Sequence, residues 1–295
     1  MNKSLTYGIL AYCFWGLFPL YWRGLQQVPA LEILAYRIVG SLAFVGLLLL
    51  IINKWKWLKE LTFKRFSYYG LSATFITINW LVYIWSVNNG KIVEASLGYY
   101  INPLVNVSLG AIFLKEKLRG VQKVSITVAL LGVAFLTYKY GKLPWVSLTL
   151  AVSFAVYGLL KKKSDLGGIE SFSLETLILS LPALAYILFL SHTNQSSWGQ
   201  FGLNANLLLL GAGIATGLPL VMYNLAAEKL TLTTIGMLQY ISPTIQLFIG
   251  LAIFKEVFPK EQFWGFIIIW ISLIIYTTEL IVHNKRAREL KTTIA

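Results

Sequence analysis

Four charged residues stand inside or at the edge of long apolar stretches of this sequence: Glu32, Arg37, Glu94 and Glu175. Ionisable groups in apolar surroundings form ion pairs, carry protons or line ion pathways. Arg37 lies five residues after Glu32, about 140° around a helix, so it is expected to pair with an acid or with backbone carbonyls of another helix. Glu32 and Glu175 are candidates for proton carriage or for structural ion pairs. Lys91 precedes Glu94 by three residues, the spacing of a helical ion pair.

Amide and aromatic side chains form a second polar set inside the apolar stretches. An amide that faces lipid is costly, so these amides should point into a helix bundle, where they either bridge helices or line a solute pathway. Aromatic residues in the middle of an apolar stretch form cavity walls or fill the core. The candidates for solute binding by stacking and amide hydrogen bonds are Trp15, Asn79, Trp80, Tyr83, Asn102, Tyr157, Tyr223, Asn224 and Gln239.

Motifs for enzymatic and metal chemistry are absent from the sequence. Cys13 is the single cysteine, and the two histidines, His192 and His283, fall outside the apolar stretches. This set gives no thiol or imidazole cluster for a metal ion. The sequence also lacks HExxH, GxSxG and nucleotide-binding motifs. We therefore expect no enzyme, no catalytic residues, no metal and no cofactor.

The composition indicates an integral membrane protein. Apolar residues make up 57% of the 295 residues and charged residues only 13%, which is too little polar surface to cover a soluble globule. The net charge of +13 comes from basic residues in short segments between apolar stretches. Such segments meet anionic lipid headgroups, so the lipid bilayer is the expected partner and nucleic acid is not.

Ten apolar stretches are long enough to cross a bilayer as helices. They are approximately 5–22, 30–52, 66–88, 92–114, 121–138, 144–160, 171–191, 204–227, 231–254 and 260–281. A cytoplasmic N-terminus places 18 of the 25 Lys and Arg residues in cytoplasmic segments, six outside and Arg37 within a span. The positive-inside rule therefore favours cytoplasmic N- and C-termini.

The sequence repeats itself with an offset of 140 residues. Tyr-Ile-Asn-Pro at 100–103 recurs as Tyr-Ile-Ser-Pro at 240–243, and a glycine and a Lys-Glu pair follow each copy at the same distances. Because five spans per repeat is an odd number, the second repeat enters the membrane from the opposite face. We predict an all-α integral membrane protein of ten transmembrane helices in two inverted five-helix repeats, 1–140 and 141–281, with a basic cytoplasmic tail, 282–295.

Pro103 and Pro243 occupy equivalent positions in the two repeats. Proline lacks a backbone N–H and frees a carbonyl of the preceding turn, so the pair forms either a hinge or two static bends that aid packing. Next to these prolines the copies differ, since Asn102 corresponds to a serine and Tyr99 to Gln239. These differences are where substrate choice is expected.

Several segments resemble the RarD branch of the EamA family, in the drug/metabolite transporter superfamily. They are 32–37, 79–80, 84–88, 94–104, 144–145, 175–177, 217–220, 226–227 and 238–244. The resemblance covers nearly the whole chain. It implies a multi-pass permease of the bacterial inner membrane, with a central cavity lined mainly by spans 1, 3, 4, 6, 8 and 9. Tyr36 departs from the family pattern, which usually has histidine there, so any proton handling by that histidine is missing in this chain.

These features together predict a secondary-active transporter of small organic metabolites that works by alternating access. Its partners would be a small-molecule substrate, for example an amino-acid-like or aromatic metabolite, and a coupling proton or other ion. Two other classes stay open: a membrane binding or sensor protein without transport activity, and an intramembrane enzyme, which the absent motifs disfavour. The sequence does not specify the substrate, the direction, the coupling ion or the oligomeric state.

Overall fold

The computed structural model describes residues 3–53, 55–113, 115, 117–227, 229–230 and 238–294, and at 140, 224, 227, 261, 280 and 284–294 it describes only the backbone. These residues form helices and no strands, which confirms the all-α prediction. The helices are α1 (Lys3–Arg23), α2 (Ala30–Ile52), α3 (Phe63–Asn88), α4 (Ile92–Phe113), α5 (Gly120–Tyr140), α6 (Trp145–Lys162), α7 (Gly168–His192), α8 (Gly202–Ala227), α9 (Ile241–Phe248) and α10 (Lys260–Ile294).

Local signals explain several helix ends. Thr62 precedes α3 and its hydroxyl accepts a hydrogen bond from the backbone N–H of Arg65, as an N-cap does. Gly141 follows α5 with φ of 62°, a left-handed conformation that glycine adopts without steric penalty. A short 3-10 helix, Lys56–Glu60, which the sequence does not predict, joins α2 to α3.

Span nine differs from its prediction. Leu238 is helical, Gln239 and Tyr240 form a turn, and α9 begins at Ile241 and continues as a π-helical turn, Ile249–Ile253. The first residues of the predicted span, 231–237, lie outside the described residues. Pro243 is therefore in the first turn of α9, where no helical N–H is needed, whereas α4 continues through Pro103.

The last helix also exceeds its predicted span. The sequence predicts an end near residue 281 and a basic tail, but α10 continues to Ile294. Within the described residues, six helices are long and apolar enough to cross a membrane, namely α2, α3, α5, α7, α8 and α10. α1, α4 and α6 have 21, 22 and 18 residues but are less apolar.

Helices of the first and second halves pack against each other in matching pairs. Each pair has a counterpart in which both helices are exchanged for those five positions away in the chain. The pair α4–α6 corresponds to α9–α1, the pair α3–α6 to α8–α1, and the pair α2–α8 to α7–α3. In three further pairs, α2 with α7, α4 with α9 and α5 with α10, the two helices are themselves five positions apart, so each pair is its own counterpart. The largest apolar core contains Trp22, Ile33, Ile84, Leu150 and Leu209, from helices of both halves, so the halves share one core.

Helix ends that are far apart in the sequence also make polar contacts. Glu32 accepts hydrogen bonds from Ser197, Glu256 accepts from the backbone N–H groups of Ile92 and Val93, Arg65 pairs with Asp165, and Arg119 pairs with Glu279. Burial would raise the pKa of Asp165, but hydrogen bonds from Tyr69 and Arg65 outweigh burial and lower that pKa. Asp165 thus stays ionised beside Arg65 and joins the α6–α7 loop to α3.

Two close backbone approaches fix the helix packing. A Cβ at Gly213 of α8 would overlap the backbone carbonyl of Gly40 on α2, and a Cβ at Gly40 would lie 3.1 Å from the Cα of Gly213. A Cβ at Gly98 of α4 would lie 2.6 Å from the carbonyl oxygen of Ser147 on α6. Small residues at such crossings let helices approach closely inside a membrane.

Replacing Gly213 by alanine should destabilise the protein. The added methyl group meets backbone atoms of Gly40, which cannot move without displacing α2, so we expect a loss of about 3 kcal/mol, or roughly 5–10 °C in Tm. Gly46→Ala is the control, because Gly46 is also on α2 and its Cβ would meet nothing within 4 Å. Thermal unfolding of both variants in the same detergent checks this. Equal Tm values would contradict the close crossing.

Candidate functional site

Two buried asparagines connect the first half of the chain to α6. The Asn79 side chain donates to the carbonyl of Leu150 at 3.0 Å and to the Ser153 hydroxyl at 3.1 Å. The Asn102 side chain donates to the carbonyl of Ala151 at 3.0 Å. Both asparagines are almost fully buried, so they face the bundle as predicted and bridge helices in this conformation.

The oxygen atoms of the same two amides accept further hydrogen bonds. Tyr99 donates its hydroxyl to Asn79 at 3.2 Å, and Gln239 donates its amide to Asn102 at 3.0 Å. Asn106 also donates to Asn102, at 2.9 Å. The predicted site residues Asn79, Asn102 and Gln239 therefore belong to two hydrogen-bonded groups that meet at the adjacent carbonyls of Leu150 and Ala151 on α6 and together reach α3, α4 and the turn before α9. We call these residues, with Tyr99, the amide network.

Arg37 lies among aromatic rings rather than beside an acid. The guanidinium carbon is 4.1 Å from the ring centre of Trp80, 5.2 Å from that of Trp22 and 5.8 Å from that of Phe18. Its Nε and Nη1 atoms are buried and make no hydrogen bond within the described residues. The structure thus differs from the expectation that Arg37 pairs with an acid or a carbonyl, because ring faces surround its charge instead.

Tyr83 connects the Arg37 surroundings to the amide network. Its ring packs edge-to-face on Tyr99 with centres 5.8 Å apart, and it follows Trp80, the ring nearest to the Arg37 guanidinium carbon, by three residues on α3. The Tyr83 hydroxyl is buried without a partner in the described part of the chain. Trp80 and Tyr83 therefore lie inside the bundle, where the sequence predicts them. Their position near the Arg37 charge is not predicted from the sequence.

Trp15 and Tyr223 belong to a separate aromatic group. Their ring centres are 5.7 Å apart, and Tyr12 packs on both at 5.2 and 6.1 Å. The carbonyl of Trp15 accepts a hydrogen bond from the Gln246 amide at 3.1 Å, which joins α1 to α9. The side chain of Asn224, also a predicted site residue, lies outside the described residues.

Tyr157 belongs to a third group, centred on Glu175. The Glu175 carboxylate, 1% exposed, accepts hydrogen bonds from Ser72 at 2.7 Å and Tyr157 at 3.2 Å. Lys161 forms an ion pair with the same carboxylate at 3.0 Å and also contacts Ser171. The sequence leaves two roles open for Glu175, proton carriage and a structural ion pair, and in this conformation Glu175 forms an ion pair. Its partner, Lys161, belongs to a segment that the sequence assigns to the cytoplasm.

The remaining two acids lie at helix ends. Glu32 is buried at the start of α2 and accepts hydrogen bonds from Ser196 at 3.2 Å and from the backbone and hydroxyl of Ser197 at 2.8 and 2.6 Å. Glu94 and Lys91 are 3.8 Å apart, as their spacing predicts. Glu32 and Glu94 therefore hold loops and helix ends in this conformation.

Two cavities among the described residues lie outside the amide network. A groove of about 750 Å³ between α1 and α8, open to the outside of the bundle, is lined mainly by apolar residues such as Phe14, Leu17 and Leu207. A smaller pocket of about 250 Å³ contains Glu94 together with Lys142. No group of three potential metal ligands occurs among the described residues.

Two residues outside the predicted site set are central to these groups. Tyr99 joins the amide network to Tyr83, and the repeat comparison identifies it only as the counterpart of Gln239. Lys161 follows Tyr157 by four residues and so occupies the same face of α6, a spacing that could have indicated its contact with the Glu175 group.

Known proteins match this chain over almost its whole length. A sequence model described as the EamA-like transporter family matches residues 2–138 and again 143–278. Protein RarD of Streptomyces exfoliatus is 45% identical over 97% of this chain and 92% of its own. Uncharacterized transporter YojE of Bacillus subtilis (strain 168) is 43% identical over 94% of both chains. A crystal structure that is 18% identical, covering 93% of this chain and 96% of its own, superposes with a TM-score of 0.61, which shows a shared fold.

Removing only the cation of the buried ion pair should be harmful. Lys161→Met leaves the Glu175 carboxylate buried without its counter-ion, so we expect a loss of about 3 kcal/mol, and adding Glu175→Gln should restore much of it. Lys91→Met is the control, because Lys91 is 40% exposed and its pair with Glu94 should contribute less than about 1 kcal/mol. The measurement is Tm in one detergent. If the single and double variants are equally stable, the two charges are not coupled.

Proposed function

Because this chain belongs to the EamA-like transporter family, we propose that it is a secondary-active transporter that moves a small organic metabolite by alternating access. Membership makes it a multi-pass bacterial membrane protein, and relatives such as YojE are named as transporters. No nucleotide-binding motif occurs in the sequence, so the energy would come from the substrate gradient or from a coupled ion.

The proposed architecture is ten spans in two inverted five-helix repeats, 1–140 and 141–281. Two observations support it. The family's sequence model matches the chain twice, once in each half. The helix contacts also recur when each helix is replaced by the one five positions along the chain, as in α4 with α6 and α9 with α1. Five spans per repeat then require that the repeats have opposite orientations.

The proposed orientation places both termini in the cytoplasm, in the bacterial inner membrane. With this orientation, each polar contact between helix ends joins two ends on the same face. Glu32 with Ser197 and Glu256 with Val93 lie outside, and Arg65 with Asp165 and Arg119 with Glu279 lie inside. An error in the span count would place some of these partners on opposite faces, so the contacts support both the count and the pairing of ends.

The amide network is the observation that carries the proposed substrate pathway. It places hydrogen-bonding groups between helices of the two halves at membrane depth, where polar groups are costly unless they have a function or a partner. The bond from Gln239 to Asn102 joins α4 to the turn before Pro243, so movement of α9 about that turn would break it. The freed amides could then bind solute, with Tyr99 and Tyr83 as stacking faces.

The moving units would not coincide with the two sequence halves. α6 packs with α3 and α4, whereas α1 packs with α8 and α9, so each unit contains one helix of the other half. Hydrogen bonds from side-chain amides to backbone carbonyls support the same grouping of helices, because Asn102 of α4 binds α6 and Gln246 of α9 binds α1. Alternating access would then move α3–α4–α6 against α8–α9–α1.

Glu175 is the proposed candidate for ion coupling. It is buried near the cytoplasmic end of α7 and contacts α3 and α6, both in one moving unit. Proton binding would release Lys161 and weaken the hydrogen bonds from Ser72 and Tyr157. Glu32 is at the start of α2, and the hydrogen bonds that its carboxylate accepts from the described residues come from serines of the α7–α8 loop, which better suits a structural role.

Cysteine labelling tests the orientation. Cys13→Ala removes the native thiol, and single cysteines then replace Lys142, in the loop after α5, or Lys163, in the loop after α6. Both lysines are exposed, so reactivity should depend on the face alone. In intact cells, a membrane-impermeant maleimide should label Lys142→Cys, and should label Lys163→Cys only after permeabilisation. The reverse pattern would overturn the proposed orientation.

Counterflow in liposomes tests transport itself. Labelled phenylalanine, leucine, phenylacetate and hexanoate are suitable probes, because a carrier exchanges external label for internal solute whereas a sensor does not. Gln239→Ala should slow counterflow about 3–10-fold through loss of its hydrogen bond, and Gln195→Ala, in an exposed loop, should not. No counterflow with any probe from folded protein would favour a binding or sensor protein.

A further inference from the structure

Among the described residues, the aromatic surroundings of Arg37 lack a counter-ion. Arg37 is 3% exposed, three aromatic rings lie within 6 Å of its guanidinium carbon, and it forms no ion pair with a described carboxylate. We propose that Arg37 binds the carboxylate of the solute. This assignment rests on the proposed transport function and gives the substrate class as a small monocarboxylate with an apolar or aromatic group.

The two fully buried acids among the described residues are committed to other partners. Glu32, on the same helix, is bound to Ser196 and Ser197, and Glu175 is paired with Lys161. A ring face partly compensates a buried cation, but it does not replace the hydrogen bonds that the N–H groups lose with water. A group that is buried and unpartnered without its ligand is expected where a ligand supplies the missing partner.

The guanidinium geometry suits a carboxylate. Trp80 lies 4.1 Å from the guanidinium carbon, and Nε and Nη1 are without partners. The N–H groups of a guanidinium lie in one plane, where a planar carboxylate can accept two of them. Tyr83 follows Trp80 by three residues on α3, and its buried hydroxyl, without a partner among the described residues, offers a further donor.

The charge balance limits the ligand to one negative group. Of the cations buried among the described helices, Lys161 is paired with Glu175, and Arg37 carries a single uncompensated charge. A monocarboxylate neutralises this charge, whereas a phosphate dianion or a dicarboxylate would leave a negative charge in apolar surroundings. The rings of Trp22, Trp80 and Phe18 provide apolar surface for the rest of the solute.

The test compares acids with amides of the same shape. The probes are phenylacetate against phenylacetamide and hexanoate against hexanamide, titrated into detergent-purified full-length protein. Tryptophan fluorescence is the readout, because Trp22 and Trp80 flank Arg37. We expect wild-type protein to bind at least one acid about 10–100-fold more tightly than its amide, the effect of a charge-assisted hydrogen-bond pair.

Variants assign this preference to Arg37. Arg37→Met should bind acid and amide equally, and Arg37→Lys, which keeps the charge but lacks the planar fork, should lose most of the preference. Arg23→Met is the matched control, since Arg23 also stacks on a ring, that of Phe254 at 5.0 Å, at the end of α1. It should keep the full preference. Without ligand, Arg37→Met should melt no lower than wild type, because a charge without a counter-ion has been removed.

Several outcomes would overturn the assignment. Equal binding of acids and amides by wild type, no binding of any acid up to about 10 mM, or an unchanged preference in Arg37→Met would each exclude the carboxylate site. A marked loss of Tm in Arg37→Met would indicate a structural arginine. Counterflow of neutral solutes without acid preference would contradict the carboxylate site alone, and acid preference without counterflow would contradict transport alone.

Discussion

A polar group placed in the hydrocarbon core is costly unless it finds a partner inside the protein, and this constraint shapes the interior of the bundle. Asn79 and Asn102 meet it by donating to carbonyls of α6, and Gln246 meets it by donating to a carbonyl of α1. Each bond joins a helix of one half to a helix of the other. Single interhelical hydrogen bonds in membranes contribute only about 0.6–2 kcal/mol. They can therefore fix the register of the halves and still exchange partners during a conformational change.

The glycine crossings impose a different kind of restraint. At Gly40 and Gly213, and at Gly98 and Ser147, backbone lies directly on backbone, so the helices cannot slide without a collision. Such contacts keep α4 with α6 and α2 with α8, whereas side-chain bonds such as Gln239 to Asn102 can be remade. The bundle thus combines seams that are sterically fixed with seams that depend on exchangeable hydrogen bonds. A protein that must change shape without unfolding requires both kinds.

The helices were largely predictable from the sequence, and the partners of the polar residues were not. Hydropathy locates most spans to within a few residues, because it depends on local composition. The turn at Gln239 and the pairing of Glu175 with Lys161 depend on how helices from different parts of the chain are rotated against each other. Arg37 shows the limit best. A buried arginine needs a partner for its charge, as the sequence argument states, but among the described residues the guanidinium of Arg37 has aromatic rings beside it instead of an acid.

Glu32 and Arg37 show how one helix can combine an anchor with an unpaired charge. They are five residues apart on α2, about 140° around its axis, and so face different neighbours. Glu32 is tied to the loop before α8 by three hydrogen bonds, while Arg37 is enclosed by rings of α1 and α3. The anchor and the Gly40 crossing hold α2, so the guanidinium cannot easily rotate towards water or lipid headgroups. A cation held in this way does not need to be ordered again when an anion arrives, which lowers the entropy cost of binding.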